Sequence, residues 1–489
     1  MTCAEAGPHG GVASGHPAAA AAGLDVLEHG GSSVDAVLAM AFAQWVVSGP
    51  LCGPGGDLVI LHVGDGRATA FGGWSRTPLG FGVSGPIVTS GPAGAAVPGS
   101  LAGAEAAWKH AGRLPWARLF DGALELAAGH EVTPWMARSY AGVDERGHGA
   151  ALRAVLDTDH VPVAGEQVSC SRLGRTLSTV AAHGARAFYD GPLADEILAA
   201  CRDGGPPITA EDFALVEPSV DHVDELDLGD VQVVLTPRPS QGAITARLLA
   251  AVDPDLPVES RAFAEAVAPV TERELTDRCV VGVPGTAVSA ATDGTTAAVV
   301  VHSLAGVQYG TGWVAGDTGV AFGNRAGTAL STRPELPAAH PVPGAALPHT
   351  LSAAWFRGPS RDLLIATPGG DRQVQWLAQS GQRFRRGEAL EAIVSGPRWF
   401  VCPEGDRFGV PGGIGSEWFM FAEPGIDWAG DAEAAGYRVR PTNTVGGGLQ
   451  AVERHRDGWR VGSDPRAGGG PAPAPGSDGS RHKEGRQHV

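Results

Sequence analysis

Lysine is nearly absent: only Lys109 and Lys483 occur in 489 residues, and arginine supplies the rest of the 36 basic side chains. Against them stand 53 acidic residues, for a net charge of −17. That sign repels polyphosphate, so a nucleic-acid partner is excluded on electrostatic grounds. No lysine or arginine precedes Arg67, and the alanine run Ala18 to Ala22 is short. A secretory leader, which opens on a basic region, is therefore not expected. The longest apolar stretch, Val34 to Val47, is interrupted by Asp35 and Gln44 and falls short of a membrane span. A cytoplasmic protein with no membrane partner is expected. The six cysteines (Cys3, Cys52, Cys170, Cys201, Cys279 and Cys402) include no Cys-x-x-Cys pair, which points to reduced thiols rather than a disulfide framework or zinc site. Also missing are a GxxxxGK[ST] phosphate loop, HExxH, a GxSxG nucleophile elbow and a GxGxxG following a strand. None of the 16 histidines has a second histidine four residues on, so neither a metal nor another cofactor is expected.

What is present describes a globular chain. Hydrophobic residues make up 43% and charged residues 18%, which fits a large buried core, while 72 glycines and 37 prolines require many turns. Residues 16 to 47 read as two helices, broken at Gly30-Gly31, the second capped by Ser32-Ser33. Leu58 to Val63 and Arg67 to Phe71, joined by Gly64-Asp65-Gly66, carry a hairpin signal. From Pro98 to about Leu249 helical patterns dominate, among them Leu101 to Ala111, Trp116 to Ala128 and Leu193 to Cys201, and Thr209 with Asp212 resembles a capping box. Residues 286 to 301 hold two β-prone runs around Asp293-Gly294, a second hairpin. Leu363 to Ala366 reads as a buried strand running into Thr367-Pro368-Gly369-Gly370, with a helix over Gln373 to Ser380. From 467 to 489 the chain is rich in glycine, proline and serine, and a disordered tail is expected.

One dipeptide, Gly285-Thr286, sits where helix-rich sequence gives way to the second hairpin. A threonine hydroxyl is a poor nucleophile at neutral pH. Cutting the peptide bond before it frees an α-amine that can act as its base. A glycine on the other side of that bond leaves the carbonyl accessible and tolerates strain. On these residues alone, a plain turn before a strand is the favoured reading.

Further segments bear on the choice. They include Val12-Ala13-Ser14-Gly15-His16-Pro17, Gly30 through Ala36, Gly53-Pro54-Gly55-Gly56, Val97-Pro98-Gly99-Ser100, Pro237-Arg238-Pro239-Ser240-Gln241-Gly242, Tyr309-Gly310-Thr311-Gly312, Gly319 through Asn324, Thr367-Pro368-Gly369-Gly370 and Gly462 through Arg466. In this order they resemble the γ-glutamyltranspeptidase family of N-terminal-nucleophile hydrolases, over about residues 10 to 466. The resemblance implies an α+β fold, a four-layer αββα sandwich. It implies a zymogen that cuts itself before Thr286 into a segment of residues 1–285 and a segment of 286–466 followed by the 467–489 tail, the two chains staying associated. The spacing from Thr286 to Tyr309-Gly310 matches the family's, which favours Thr286 over Ser289, Thr292 or Thr295. Gly369 and Gly370 would supply the oxyanion hole.

The substrate pocket departs from the family. A valine, Val288, replaces the histidine two residues after the nucleophile. The threonine and asparagine that assist it align with Leu304 and Gly306, leaving His302 and Ser303 as polar substitutes. Where the family holds an α-ammonium with acidic or amide side chains, this chain reads Gly323-Asn324-Arg325-Ala326-Gly327-Thr328. The family's carboxylate-binding arginine aligns with Trp74, near Arg76, and its paired serines with His349-Thr350. An ammonium beside a guanidinium is costly. The substrate-binding candidates Arg76, His302, Ser303, Asn324, Arg325, His349 and Thr350 therefore point to a small molecule bearing a carboxylate or α-keto acid. The pattern resembles actinobacterial members of specialised metabolism, including those that hydrolyse a carbon–carbon bond in 4-alkylproline formation for lincomycin-like and pyrrolobenzodiazepine antibiotics. Two alternatives remain: an authentic γ-glutamyl hydrolase or transferase, and a processing-deficient pseudoenzyme that acts as a binding protein.

Overall fold

The computed structural model describes residues 2–82, 91–144, 147–276, 285–306, 308–327, 342–403, 417–443 and 446–474. Cys279, Thr328 and positions 475–489 of the expected tail lie outside them. Among the described residues, two seven-stranded sheets form the body of the protein. In chain order their strands are β1 (Cys3–Glu5), β2 (Gly11–Ser14), β3 (Asp57–Gly64), β4 (Arg67–Gly73), β5 (Ser219–Asp221), β6 (Asp224–Asp227), β7 (Gln232–Leu235), β8 (Thr286–Thr292), β9 (Ala297–Ser303), β10 (Ala353–Arg357), β11 (Asp362–Ala366), β12 (Gln450–His455), β13 (Gly458–Ser463) and β14 (Gly470–Pro473). One sheet runs β1-β13-β12-β11-β10-β7-β6, the other β14-β2-β8-β9-β3-β4-β5.

Strand alternation divides each sheet's side chains between two faces. Val59, Leu61, Val288, Ala290, Val299 and Val301 meet Val234, Ala353, Trp355, Leu364, Ala366 and Val452 in a core between the sheets. The other face of the β8–β9 sheet carries Ala287, Ala291, Ala298 and Val300 against helices α1 (Pro17–Glu28) and α2 (Ser33–Val47). On the far side, Val233, Leu235, Phe356, Leu363 and Ile365 pack on α3 (Gly242–Ala250), α4 (Arg261–Thr276) and α5 (Arg372–Arg385). The architecture is thus the four-layer αββα sandwich. Helix α2 is buried along its whole length, which is why its sequence is apolar on every side. Its start is fixed by a capping box between Ser32 and Asp35.

The two hairpins form, as β3–β4 and β8–β9. Their central position matters more. Strand β8 pairs with β2 and β9 pairs with β3, so the segments before and after Gly285-Thr286 interleave in one sheet.

Two expectations need correction. The stretch read as helical up to Leu249 contains the strands β5, β6 and β7; β6 is an edge strand of sequence Asp-Glu-Leu-Asp with exposed acids, a composition that blocks further pairing and hides the strand from a hydrophobicity pattern. The expected tail is ordered at its start, because Gly470–Pro473 pairs with Gly11–Ser14. Backbone hydrogen bonding to an open edge requires no large side chains.

Candidate active site

Thr286 opens β8. Its direct partner across the β8–β9 ladder is Ser303, and the partner of Ser303 across β9–β3 is Asp57. Residues opposite one another in antiparallel strands share a face, so the three side chains form a row. The row lies two residues from Val288, Val301 and Val59 in their respective strands and therefore faces the space between the sheets. All three are buried.

The Ser303 hydroxyl donates to the carbonyl oxygen of Gly285, a short contact, and accepts the N–H of Ala305 at 2.8 Å. Gly285 has φ +140°, and a Cβ there would stand 2.9 Å from the Gly306 carbonyl oxygen. Both facts explain why the residue is glycine. The peptide bond before Thr286 thus has its carbonyl polarised by a hydroxyl.

Asp57, which sequence inspection missed, anchors a buried charge cluster. Arg325 Nε donates to its Oδ2 at 2.9 Å and Nη2 lies equally close. His349 Nδ1 is 3.6 Å from the same oxygen, and the Ser75 N–H donates to Oδ1 at 3.1 Å. Burial opposes ionisation of this carboxyl, but the charges of His349 and Arg325 and the Ser75 bond outweigh it and hold its pKa below the usual value. Trp74 lies against His349, ring centroids 4.7 Å apart. The signal available in the sequence was a charge opening an otherwise apolar strand directly after Gly53-Pro54-Gly55-Gly56.

The facing sheet supplies a second element. Leu364 and Ala366 of β11 share the inter-sheet core with Val288, and the chain then turns through Gly369 (φ +139°) and Gly370 (φ +61°) into α5. A Cβ on Gly369 would sit 2.3 Å from the Trp376 ring. Neither glycine N–H donates to any group among the described residues. Gln241 Nε2 ties the turn down, donating to the carbonyls of Gly370 and Thr350 at 3.0 Å each.

The remaining expectations divide. His302 is corrected: alternation turns it away from the row, into the helix layer. There its Nδ1 accepts from Trp45 Nε1 at 3.0 Å and its Nε2 donates to Gln44 Oε1 at 2.9 Å. This assigns the neutral Nε2–H tautomer, and burial lowers its pKa to about 3. The position opposite Thr286 belongs to Ser303, not Leu304. Arg325 meets an internal carboxylate, which revises the expectation of a cation awaiting a substrate anion. Arg76 spends Nη1 on the Gly344 carbonyl at 3.0 Å. Asn324 is buried and its N–H bonds the carbonyls of Leu304 and Ala305, beside the Gly285 contact. Thr350 is buried next to His349. Among the described residues, no three His, Cys, Asp or Glu side chains are grouped to hold a metal, and no helix is long and apolar enough to cross a membrane.

Comparisons with known proteins bear on the family and the fold. The Gamma-glutamyltranspeptidase family model matches residues 19–266 and 281–474. Among curated proteins, Glutathione hydrolase 3 of Arabidopsis thaliana is 29% identical over 232 residues, covering 45% of this chain and 36% of that protein. The human Glutathione hydrolase 5 proenzyme is 29% identical over 255 residues, covering 49% of this chain and 43% of its own length. The matched stretch is thus under half the length of these relatives. Among solved structures, cephalosporin acylase from Bacillus halodurans superposes with a TM-score of 0.83 at 22% identity, over 97% of both chains. The structure titled LmbA2991HD gives a TM-score of 0.81 at 21% identity, over 96% of this chain and 100% of the other. At these identities the two structures speak to the fold.

Proposed function

Because the chain belongs to the gamma-glutamyltranspeptidase family, a family of hydrolases with the N-terminal-nucleophile fold, we propose that it is a self-cleaving hydrolase whose nucleophile is Thr286 and whose substrate is not a γ-glutamyl compound. The observation that carries this reading is the row Thr286–Ser303–Asp57, with the Ser303 hydroxyl on the Gly285 carbonyl. In the precursor, Thr286 Oγ attacks that carbonyl carbon while Ser303 stabilises the developing oxyanion. The C–N bond breaks, the hydroxyl proton passes to the nitrogen, and water hydrolyses the resulting ester. The products are a carboxylate on Gly285 and a free amine on Thr286.

In the cut enzyme that amine takes the Thr286 hydroxyl proton as Oγ attacks the substrate carbonyl. The N–H groups of Gly369 and Gly370 hold the oxyanion, a role typically contributing about 2.7–4 kcal/mol for one donor. The leaving group departs with the proton, and water releases the acyl group. The leaving atom is nitrogen in an amide, or carbon in an oxalyl-type ketone whose departing carbanion is enamine-stabilised. An altered specificity is supported by Arg325 and its partner Asp57 standing where the family's ammonium clamp is expected. A bound α-ammonium there would find the Asp57 carboxylate already engaged by the Arg325 guanidinium.

A denaturing gel with N-terminal sequencing tests the proposal. Two fragments, the smaller beginning at Thr286, are expected, with Thr286→Ala remaining one band. A single band from the unmutated chain would instead support the binding-protein alternative. The curated relatives are glutathione hydrolases, so ordinary γ-glutamyl hydrolysis is the second reading. Thr286-dependent release of the anilide from a γ-glutamyl anilide would favour it.

A further inference from the structure

The turn that would hold the oxyanion is a pair of glycines at positive φ, Gly369 at +139° and Gly370 at +61°, and a glycine backbone has little preference for any one conformation. Rotating either peptide plane would swing its N–H to a new direction, so a preorganised donor pair needs support from outside the turn. The carbonyls have it. The Gly370 oxygen accepts from Gln241 Nε2 at 3.0 Å and from the Gln373 N–H at 3.1 Å, and the Gly369 oxygen accepts from the Arg372 N–H at 3.2 Å. The Cα of Gly369 is held differently, by the six-membered ring of Trp376.

Trp376 lies about one turn into α5. Helical side chains lean toward the N-terminus of their helix, which brings this ring back over the turn that opens α5. A Cβ on Gly369 would meet ring atom Cζ3 at 2.3 Å, and one on Gly447 would meet the same atom at 2.9 Å. One edge of the indole therefore touches both backbones. Phe400 stands edge-on to the ring, centroids 6.1 Å apart, and the Arg398 guanidinium lies 5.3 Å from the ring centroid. Trp376 is buried, yet its Nε1–H donates to no group among the described residues. A buried indole ordinarily finds a partner for that N–H. Here its reach is what counts, since a phenyl ring lacks the outer edge that meets Gly369.

Arg398 is fixed in turn by the segment Gly462 through Arg466, to which the chemistry above gives no part. Its Nη2 donates to the Asp464 carboxylate and, at 3.1 Å, to the Gly446 carbonyl. The other Asp464 oxygen accepts from Arg466 Nη1 at 3.0 Å, and Arg466 Nε donates to Glu423 Oε1 at 2.9 Å. Arg398 Nε and Nη1 donate to no group among the described residues. Burying guanidinium N–H groups without acceptors is costly, and a desolvated cation over an indole recovers part of that cost. The arginine thus presses on Trp376 while the carboxylate holds it from behind.

We propose that Trp376 is a positioning residue for the Gly369-Gly370 turn, and that Arg398, Asp464 and Arg466 act on the active site through it. The proposal rests on the reading of Thr286 as nucleophile with this turn as its oxyanion hole.

Two variants of the full chain test it. Trp376→Phe withdraws the ring edge from Gly369 and breaks no hydrogen bond among the described residues. Hydrogen exchange followed by mass spectrometry should become about tenfold faster in the peptide 367–371 and stay unchanged across 286–303. With p-nitrophenyl acetate, whose small activated acyl group asks for little besides a nucleophile and an oxyanion hole, kcat should fall about tenfold while KM holds, as when an interaction made only in the transition state is lost. Self-cleavage, assigned to Ser303 rather than this turn, should keep its normal rate. Arg398→Lys keeps a charge beside Asp464 but takes the planar group off the ring, and should give smaller losses of the same kind. Unchanged exchange at the turn in Trp376→Phe, acceleration spread equally over 286–303, or a loss carried by KM alone overturns the proposal. So does a cut, unmutated chain with no Thr286-dependent release of nitrophenolate. An uncut chain sinks the threonine mechanism instead, and exchange at 367–371 still decides whether Trp376 holds the turn.

Discussion

The hydroxyl of Ser303 donates to the carbonyl oxygen of Gly285, the last residue before the expected cut. In register terms Ser303 is also the residue facing Thr286, so one side chain touches the carbonyl before the proposed cut and neighbours the proposed nucleophile. Removing a preorganised donor of this kind typically costs about 10²–10³ in rate. Ser303→Ala should therefore slow self-cleavage by roughly that factor, followed as loss of the full-length band over time, while Ser303→Thr, which keeps the hydroxyl, should cut at close to the normal rate. Equal rates for Ser303→Ala and the unmutated chain would remove Ser303 from the mechanism.

Gly285 offers an independent check on the same bond. An alanine there must adopt φ +140° and place its Cβ 2.9 Å from the Gly306 carbonyl oxygen, and such backbone strain costs on the order of 1–3 kcal/mol. The strained carbonyl then shifts off the Ser303 hydroxyl. Gly285→Ala should fold, as judged by circular dichroism, and cut at least tenfold more slowly. Normal cutting would mean that the geometry at Gly285 is incidental.

Asp57 and Arg325 are buried partners, 1% and 3% exposed in their side chains. Deleting one charge of such a pair strands the other, at a typical cost of about 3–5 kcal/mol. Asp57→Asn should lower unfolding free energy by about that much in urea titrations. The double variant Asp57→Asn with Arg325→Met should recover most of the loss, because no charge is left unmet. If the double variant is as unstable as the sum of its parts, the two residues are not coupled in the way the 2.9 Å contact indicates.

The elements that position the site differ in how plainly the sequence announces them. The turn Gly64-Asp65-Gly66 marks a hairpin because its local chemistry demands one, and the all-apolar α2 declares its own burial. Strand β6 is hidden because an edge strand is protected by the charges that mask it. His302 and Ser303 are adjacent, so proximity to Thr286 suggests both. Only the pleat decides between them, placing Ser303 toward Thr286 and His302 toward Trp45. Asp57 is the hardest case: its guanidinium partner lies 268 residues away in the chain, and no local pattern encodes a pairing that depends on Phe322 and Gly323 bonding alongside Gly55.

The burial of His302 has a consequence for acid stability. Its pKa falls from 6.5 to about 3, through desolvation. His16 and His62 fall to about 4, with desolvation again the largest cause, reinforced by His130 and His110 respectively. As pH drops below 6.5 the unfolded chain takes up these protons while the folded chain does not, so unfolding is favoured by up to about 1.4 kcal/mol per histidine per pH unit. For His302 the loss continues down to about pH 3, where the folded state begins to protonate as well. The melting temperature should therefore fall steadily between pH 6.5 and 4. In His302→Gln, whose amide can still accept from Trp45 and donate to Gln44 but does not titrate, that fall should be shallower. Parallel curves for the two proteins would show that His302 is not held neutral by the fold, and with it the tautomer that points its Nε2–H at Gln44 would have to be abandoned.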